Sequence, residues 1–441
     1  MWRSHIDFIK YLFKIKRYEA WGFVFDLLFI LLTLIKVVYD LSQSGTESVF
    51  LSFSKDATWI NKLFSFAFLS QVIKILVRIG LLWHKRYKAK EEAESVKLVE
   101  KNIDTDLVIP SEKERIHGFD TIKIKNNNEF NFFISSEIIN NLLTQDKIET
   151  IIINQNGFKQ IWTRINNRKN ILLPFLTHQY FYSLKEGKNF FNEEKLCLSC
   201  DLEKDNPEVI CHKGSYFDSF LTNERYGKHL VSKLDSSDVI ADARNYAPFT
   251  PKGGKWVISD ITSSYLNHHI GISTIALTKD KYMVFWKQND KNQIRAGKIV
   301  STGSGSCDYA DLVKVENENY SFPLTIKKAM ERELREENKL GAGVSIQETV
   351  IVGYFRWISR GGKPEFVGFS RLNSMMNDLH GNEKEVYERI TVYYGSESEI
   401  PSKIDDLLAN DYSFSESLLF NLHQLKWYFM QKNVDRYPPP S

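Results

Sequence analysis

Two long apolar stretches near the N-terminus set the first constraint on this chain. Residues 20–41 (AWGFVFDLLFILLTLIKVVYDL) and 58–83 (TWINKLFSFAFLSQVIKILVRIGLLW) are its most apolar segments. Each is long enough to cross about 30 Å of hydrocarbon as a helix at 1.5 Å per residue. The expected fold class is therefore a membrane protein whose N-terminus is a two-helix transmembrane hairpin. Neither segment is free of charge. Lys36 and Lys62 lie near segment ends and can snorkel. Asp26 lies one turn in, and Lys74 and Arg78 are four apart, on one helix face. Intramembrane charges at such depth face a protein interior or a water-filled cavity. The alternative is a soluble helical hairpin with wide apolar faces. No small-residue cleavage pattern follows the first segment, which argues against a signal peptide.

The flanks orient the hairpin. Arg3, Lys10, Lys14, Lys16 and Arg17 precede it, and Lys85, Arg86, Lys88 and Lys90 follow it. The intervening loop, 42–57, has only Lys55 against Glu47 and Asp56. Basic flanks stay cytoplasmic, so both termini are expected in the cytosol. Four cysteines are too few for a disulfide scaffold and agree with a reducing compartment. The expected organisation is a basic arm (1–19), the two spans (20–41, 58–83) around an extracytoplasmic loop, and a charged helical linker (84–104). A mixed α/β middle region (105–255) and a clearer C-terminal domain (256–441) follow.

Within the cytosolic part, periodicity predicts strands at 121–124, 130–135 and 148–154 and a helix at 137–144. Residues 271–278 and 280–288 read as a hairpin, 298–301 as a lead into a Gly/Ser loop, and 349–359 and 364–373 as strands. Helices are expected at 325–340 and 413–432. The stretch 155–250 has little periodicity. With 58 Lys plus Arg against 55 Asp plus Glu there is no bulk electrostatic case for a nucleic-acid polymer as partner.

The most informative segment is TIKKAMERELREEN, 325–338. On a helix Glu333, Glu336 and Glu337 fall at i, i+3 and i+4, which puts three carboxylates on one face. Such crowding is unfavourable unless a cation neutralises it, and carboxylate oxygens suit Mg²⁺ or Mn²⁺. Ile326, Met330 and Leu334 form an apolar stripe beside that face. The alternative is a solvated helix held by i, i+4 ion pairs.

This segment resembles the Nudix hydrolase pattern G-x5-E-x7-R-E-U-x-E-E-x-G-U, with U aliphatic. Arg332-Glu333-Leu334-Arg335-Glu336-Glu337 and Leu340 match it. Glu318, Leu324 and Lys339 stand where the pattern has Gly, Glu and Gly. The resemblance covers about 256–432 and implies an α/β/α sandwich. It implies that Glu333, Glu336 and Glu337 bind Mg²⁺ or Mn²⁺, and that Arg332 orients a glutamate. Glu336, Glu337 and Arg332 are then the catalytic candidates, for attack of water on a phosphoanhydride. A base outside the motif would come from Glu383, Glu385 or Glu388. Arg295, Arg356, Arg360 and Lys363 are candidates for nucleotide phosphates, because arginine offers bidentate geometry. Solvated loop charge is the alternative for each.

Cys197-x2-Cys200 followed by Cys211-His212 has the look of a zinc cluster, but adjacent Cys and His do not easily reach one ion, and ordinary thiols are the better reading. His268-His269 reads as structural. No Walker A sequence, G-x-S-x-G elbow or H-E-x-x-H pair is present.

The order of parts is similar to the two-transmembrane Nudix effectors of CBASS, the bacterial cyclic-oligonucleotide antiphage systems, which are CD-NTase-associated proteins with a SMODS-associated Nudix-type domain. That resemblance implies a cyclic nucleotide made by a partner CD-NTase as ligand, homo-oligomer formation on activation, and location in the cell inner membrane. The bilayer would be impaired to cause abortive infection. Whether the Nudix-like part cleaves a nucleotide or only binds it stays open. The alternative is a membrane-tethered, Mg-dependent Nudix pyrophosphohydrolase acting on a nucleoside diphosphate derivative.

Overall fold

The computed structural model describes residues 2–15, 90–91, 94–100, 105–126, 129–187, 190–225, 227–242, 248–288, 297–315, 319–341, 343–382 and 386–436. Both apolar segments and the loop between them, and so Asp26, Lys74 and Arg78, lie outside those residues, as do Arg295, Glu383 and Glu385. Among the described residues no helix is long and apolar enough to cross a membrane.

The chain divides into two compact units. The first comprises 1–98, 173–192 and 230–240. Its N-terminal helix, α1 (Trp2–Ile15), is anchored by side-chain contacts. Phe8 stacks on Tyr180 with centroids 3.9 Å apart, Arg3 lies 4.6 Å over the Phe191 ring, and Asp7 accepts the Asn192 backbone N–H at 3.0 Å. The helical linker expected over 84–104 ends early. Residues 94–95 are helical, but Val96–Glu100 is a strand in a three-stranded sheet with Lys228–Ser232 and Val239–Asp242. Buried Val96 and the aliphatic Leu98 and Val99 favour that pairing over a solvated stalk.

The second unit comprises 99–172, 193–229 and 241–441. Its main elements begin with β1 (Phe119–Asn126), β2 (Glu129–Ser136), α2 (Glu137–Thr144), β3 (Thr150–Ile153) and α3 (Gly157–Asn167). Next come β4 (Glu194–Leu198), β5 (Glu208–Ser215), β6 (Gly271–Leu277), β7 (Tyr282–Gln288), β8 (Ile299–Ser301) and β9 (Gly303–Ser306). The last are β10 (Tyr320–Ser321), α4 (Phe322–Asn338), β11 (Ile346–Trp357), β12 (Lys363–Leu372), β13 (Val386–Tyr393), α5 (Ile400–Ala409) and α6 (Glu416–Arg436). A nine-stranded sheet runs β8-β7-β6-β12-β11-β2-β1, with β9 added to β6 and β13 to β7. Only the β6–β12 pairing in it is parallel. A smaller sheet has the order β10-β3-β5-β4. Because β1 and β2 complete the large sheet, the boundary expected between 255 and 256 does not separate two units. That expectation followed local strand and helix patterns, whereas pairing across distant sequence built the domain.

Alternation along the strands sorts the core into two layers. On one face Phe366 and Ile351 meet Phe322, Ile326, Ala329 and Met330 of α4. On the other, Val367 and Phe369 meet Leu418, Phe420 and Phe429 of α6. Met330 and Phe420 are fully buried in these layers, so truncating either to Ala should cost about 2–5 kcal/mol of stability. Gly368 permits close packing, since a Cβ there would lie 2.3 Å from the Val350 carbonyl oxygen. The result is the expected α/β/α sandwich.

One edge of β6 is divided. Residues 271–274 pair with β9 and 276–277 pair with β7. Thr302, between β8 and β9, fills the fork: its hydroxyl accepts the Ala276 N–H at 2.9 Å and donates to the Val284 carbonyl. The segment 303–306, expected as a loop, is therefore a strand, held directly beneath α4.

Candidate functional site

Helix α4 starts cleanly. Ser321 caps it by accepting the Leu324 N–H, and Pro323 sits in the first turn, where no N–H partner is needed. It ends at Lys339 in the left-handed conformation (φ 50°), whose N–H returns to the Arg335 carbonyl. The Nudix pattern has Gly at that position, so the backbone shape persists although the residue differs. Asn338 pins the end of the helix. It accepts the Trp286 indole N–H at 2.8 Å and donates to the carbonyls of Thr302 at 2.7 Å and Leu334 at 2.8 Å.

The two glycines of β9 allow the helix to come close. A Cβ on Gly303 would lie 2.8 Å from the Leu334 Cα, and one on Gly305 would lie 2.2 Å from the Glu333 carboxylate. Glu333 thus lies over a strand position with no side chain. Burial pushes its carboxyl up to about 7, against the opposing pull of Arg332. Glu337 turns to the strand and accepts the Ser304 N–H at 3.0 Å. Glu336 is exposed.

Arg332 joins these groups. Its NH1 donates to Glu333 at 2.9 Å and to Glu336 at 3.3 Å, and its NH2 donates to the Ser306 carbonyl at 2.8 Å. On the other side Nε and NH2 each reach a carboxylate oxygen of Asp311 at 3.0 Å. Asp311 escaped the sequence reading. Its local signal is Asp308-x-x-Asp311, where Asp311 accepts the Asp308 N–H at 2.8 Å and so closes the turn before the helix. Leu324, at the position where the pattern has Glu, is half exposed. The carboxylate that holds Arg332 comes from this loop.

The donor chemistry fits Mg²⁺ or Mn²⁺ in type, with hard oxygens on one face. The positions fit only in part. Glu333 and Glu336 share a guanidinium, and Glu337 is turned to a backbone N–H. Among the described residues no group of three or more His, Cys, Asp or Glu side chains is disposed to hold a metal ion. Were a divalent ion to bind, Glu333, Glu336 and Glu337 would hold it, and it would polarise a phosphate oxygen. Arg332 would yield NH1 while Asp311 kept the remainder of its guanidinium in place.

The basic candidates are occupied elsewhere. Arg356 is wholly buried and paired with Glu114, Arg360 is paired with Glu224, and Lys363 contacts Glu365 at 2.7 Å in the core. Arg356 ties the short helix 112–116 to β11, Arg360 joins its helical turn to the one at 223–225, and Lys363 pairs with a residue two positions along the same strand, β12. Glu388, the described base candidate outside the motif, lies on strand β13 and faces Lys287 at 3.4 Å. Cys197 and Cys211 lie on facing strands, and burial pushes both thiols up. His268 and His269 are buried, and burial lowers both imidazoles well below their usual range.

No protein-family model matches the chain, and no curated protein matches it significantly. Part of the chain has fold neighbours among solved Nudix proteins. One is the MutT protein from Methanosarcina mazei Go1, 13% identical over 37% of this chain and 94% of that one, with a TM-score of 0.24. Another is a NUDIX-family hydrolase from Clostridium perfringens, 15% identical over 37% of this chain and 99% of that one, with a TM-score of 0.23. Likeness at this level carries no claim about activity.

Proposed function

We infer that this chain is a membrane effector of CBASS-type antiviral defence. Its Nudix-like unit receives a cyclic nucleotide made by a partner CD-NTase, and its two apolar segments then impair the inner membrane. The observation that carries the receptor reading is the clasp of Arg332 on Glu333 and Glu336. An arginine already bridges two of the three carboxylates a metal would need, so a metal could enter only by displacing it, which favours a site that takes a metal together with a ligand. Binding of a nucleotide with Mg²⁺ or Mn²⁺ would open that clasp and move β9. Arg295 remains a candidate for the phosphates, whereas Arg356, Arg360 and Lys363 would have to exchange carboxylate partners to join it. Asp26, Lys74 and Arg78 would face the interior of a homo-oligomeric helix bundle.

A second reading has one specific support. A carboxyl poised near 7, as Glu333 is, suits proton transfer at neutral pH, which favours a pyrophosphohydrolase. One experiment separates the two. The full chain in lipid nanodiscs is incubated with Mg²⁺ and a panel of cyclic oligonucleotides, ADP-ribose and dinucleotides, and bound and released species are identified by mass spectrometry. A cyclic nucleotide recovered intact supports the receptor. Catalytic release of cleaved product establishes the hydrolase instead. If none of these ligands is retained or cleaved, both readings are overturned.

A further inference from the structure

Away from the glutamate face, the second unit contains a chain of three polar side chains. Ser199 Oγ lies 2.7 Å from His212 Nδ1, and His212 Nε2 lies 3.2 Å from Asn267 Oδ1. Ser199 follows β4, His212 is on β5, and Asn267 precedes β6.

The protons in this chain can be assigned. The Asn267 side chain reaches the Ser215 carbonyl at 3.3 Å and Ser219 Oγ at 2.8 Å. A carbonyl only accepts, so the amide nitrogen faces it and Oδ1 faces His212. Oδ1 also only accepts, so His212 Nε2 carries the proton. Nδ1 is left with its lone pair and takes the hydroxyl proton of Ser199. Burial lowers the His212 pKa, which keeps the ring neutral at physiological pH. Asn267 is fully buried, so the orientation of the ring is fixed by a rigid partner.

The N-terminus of α3 closes over the same atoms. A Cβ on Gly157 would lie 3.3 Å from Ser199 Oγ and 2.8 Å from His212 Cβ, so only glycine allows this approach. The Gly157 N–H is taken by Asn154 Oδ1 at 3.1 Å. Helix geometry gives the Phe158 and Lys159 N–H groups no intrahelical acceptor, which leaves two donors of the kind that stabilise an oxyanion. Ser199 is partly exposed, whereas its neighbour Cys200 is engaged with Ile210 and its thiol is pushed up to about 11 by burial.

We propose that Ser199, His212 and Asn267 form a nucleophilic centre for acyl esters, with the N-terminus of α3 as its oxyanion site. Ser199 Oγ bonds to the ester carbonyl carbon while its proton passes to His212 Nδ1. The C–O bond to the alcohol breaks, and the alkoxide leaves with that proton. Water, deprotonated by His212, then releases the carboxylic acid and restores Ser199. The same order of nucleophile, imidazole and amide operates in Cys-His-Asn enzymes.

The test is a fluorophosphonate probe on the full chain, in which Oγ–P forms and P–F breaks with loss of fluoride. The expected result is one adduct per chain, located on Ser199 by peptide mass spectrometry and absent in Ser199→Ala. In His212→Gln labelling should be at least about 100-fold slower, the scale of a lost general base. The wild-type rate should fall as pH drops far enough to protonate His212. An adduct elsewhere, or equal labelling of wild type and Ser199→Ala, overturns the proposal. Because His212→Gln could fail to fold, Ser199→Cys gives an independent reading. Its alkylation by iodoacetamide should show a midpoint below the free-thiol value of about 8.5, and a midpoint at or above that value overturns the proposal.

Discussion

Arg332 Nε and NH2 straddle the two carboxylate oxygens of Asp311, a residue 21 positions upstream, at 3.0 Å each. The pair fixes the guanidinium that in turn holds Glu333 and Glu336. Asp311 is nearly buried, so its loss leaves charged donors without a full partner. Asp311→Asn should cost about 1.5–3 kcal/mol, the range for hydrogen bonds to charged groups. Urea unfolding should show a lower midpoint with an unchanged slope. An unchanged midpoint would mean that Arg332 is held by its remaining partners.

Glu333 makes stability depend on pH in a direction opposite to that of most carboxylates. Its folded pKa is raised from 4.5 to about 7, so the folded state binds the proton more tightly. The associated stability is fully present below about 4.5 and is lost as pH rises through about 7. Glu333→Gln keeps the oxygen that accepts from Arg332 and removes the buried charge. At pH 8 it should be more stable than the native chain by about 1–3 kcal/mol, with little difference at pH 4. Equal stabilities at both pH values would show that folding does not shift the Glu333 pKa.

Lys339 carries a side chain at a φ of 50°. The left-handed region costs a non-glycine residue roughly 1–2 kcal/mol, offset in part by the greater freedom of glycine when unfolded. Lys339→Gly should therefore stabilise the chain by about 0.5–1 kcal/mol, read as a rise in Tm. A fall would mean that the lysine side chain makes a compensating contact.

The ease of reading the sequence varied with the range of the interactions involved. Helix α4, its apolar stripe and the paired strands β11 and β12 were legible because their periodicities are local. The strand nature of 303–306 was not, because two glycines favour a loop until Leu334 and Glu333 are packed over them. Asp311 was missed because a carboxylate in a loop has no periodicity, and the motif directs attention to position 324. Arg356, Arg360 and Lys363 are phosphate candidates in the sequence because arginine offers bidentate geometry, and no local pattern shows that they are buried. The partners of Arg356 and Arg360, Glu114 and Glu224, are 242 and 136 positions away in sequence, so only the fold brings them together, whereas the Lys363 partner, Glu365, is two positions away and it is burial that the sequence does not show.

The membrane reading makes its own prediction. On the proposed membrane helix Lys74 and Arg78, four apart in sequence, would share a face, where unpaired charge is costly unless it faces a bundle or water. Lys74→Leu with Arg78→Leu should leave nucleotide binding intact while removing toxicity when the chain is activated in cells. Retained toxicity would assign membrane damage to other residues.

Lys363 and Glu365 test how the domain tolerates ionic groups in its core. Their contact is 2.7 Å, both side chains are almost fully buried, and Ser417 donates to the second Glu365 oxygen at 3.0 Å. Burial works to lower the Lys363 pKa and the carboxylate works to raise it. Glu365→Gln removes the countercharge but not the ammonium, so it should cost about 3–5 kcal/mol, as breaking a buried pair does. Replacing both residues, Lys363→Met with Glu365→Leu, removes the desolvation penalty of each charge. That double variant should lie closer to the native chain than Glu365→Gln does, in some packings above it. A double variant less stable than the single one would mean that the pair contributes net stability, and that its geometry repays the cost of burying two charges.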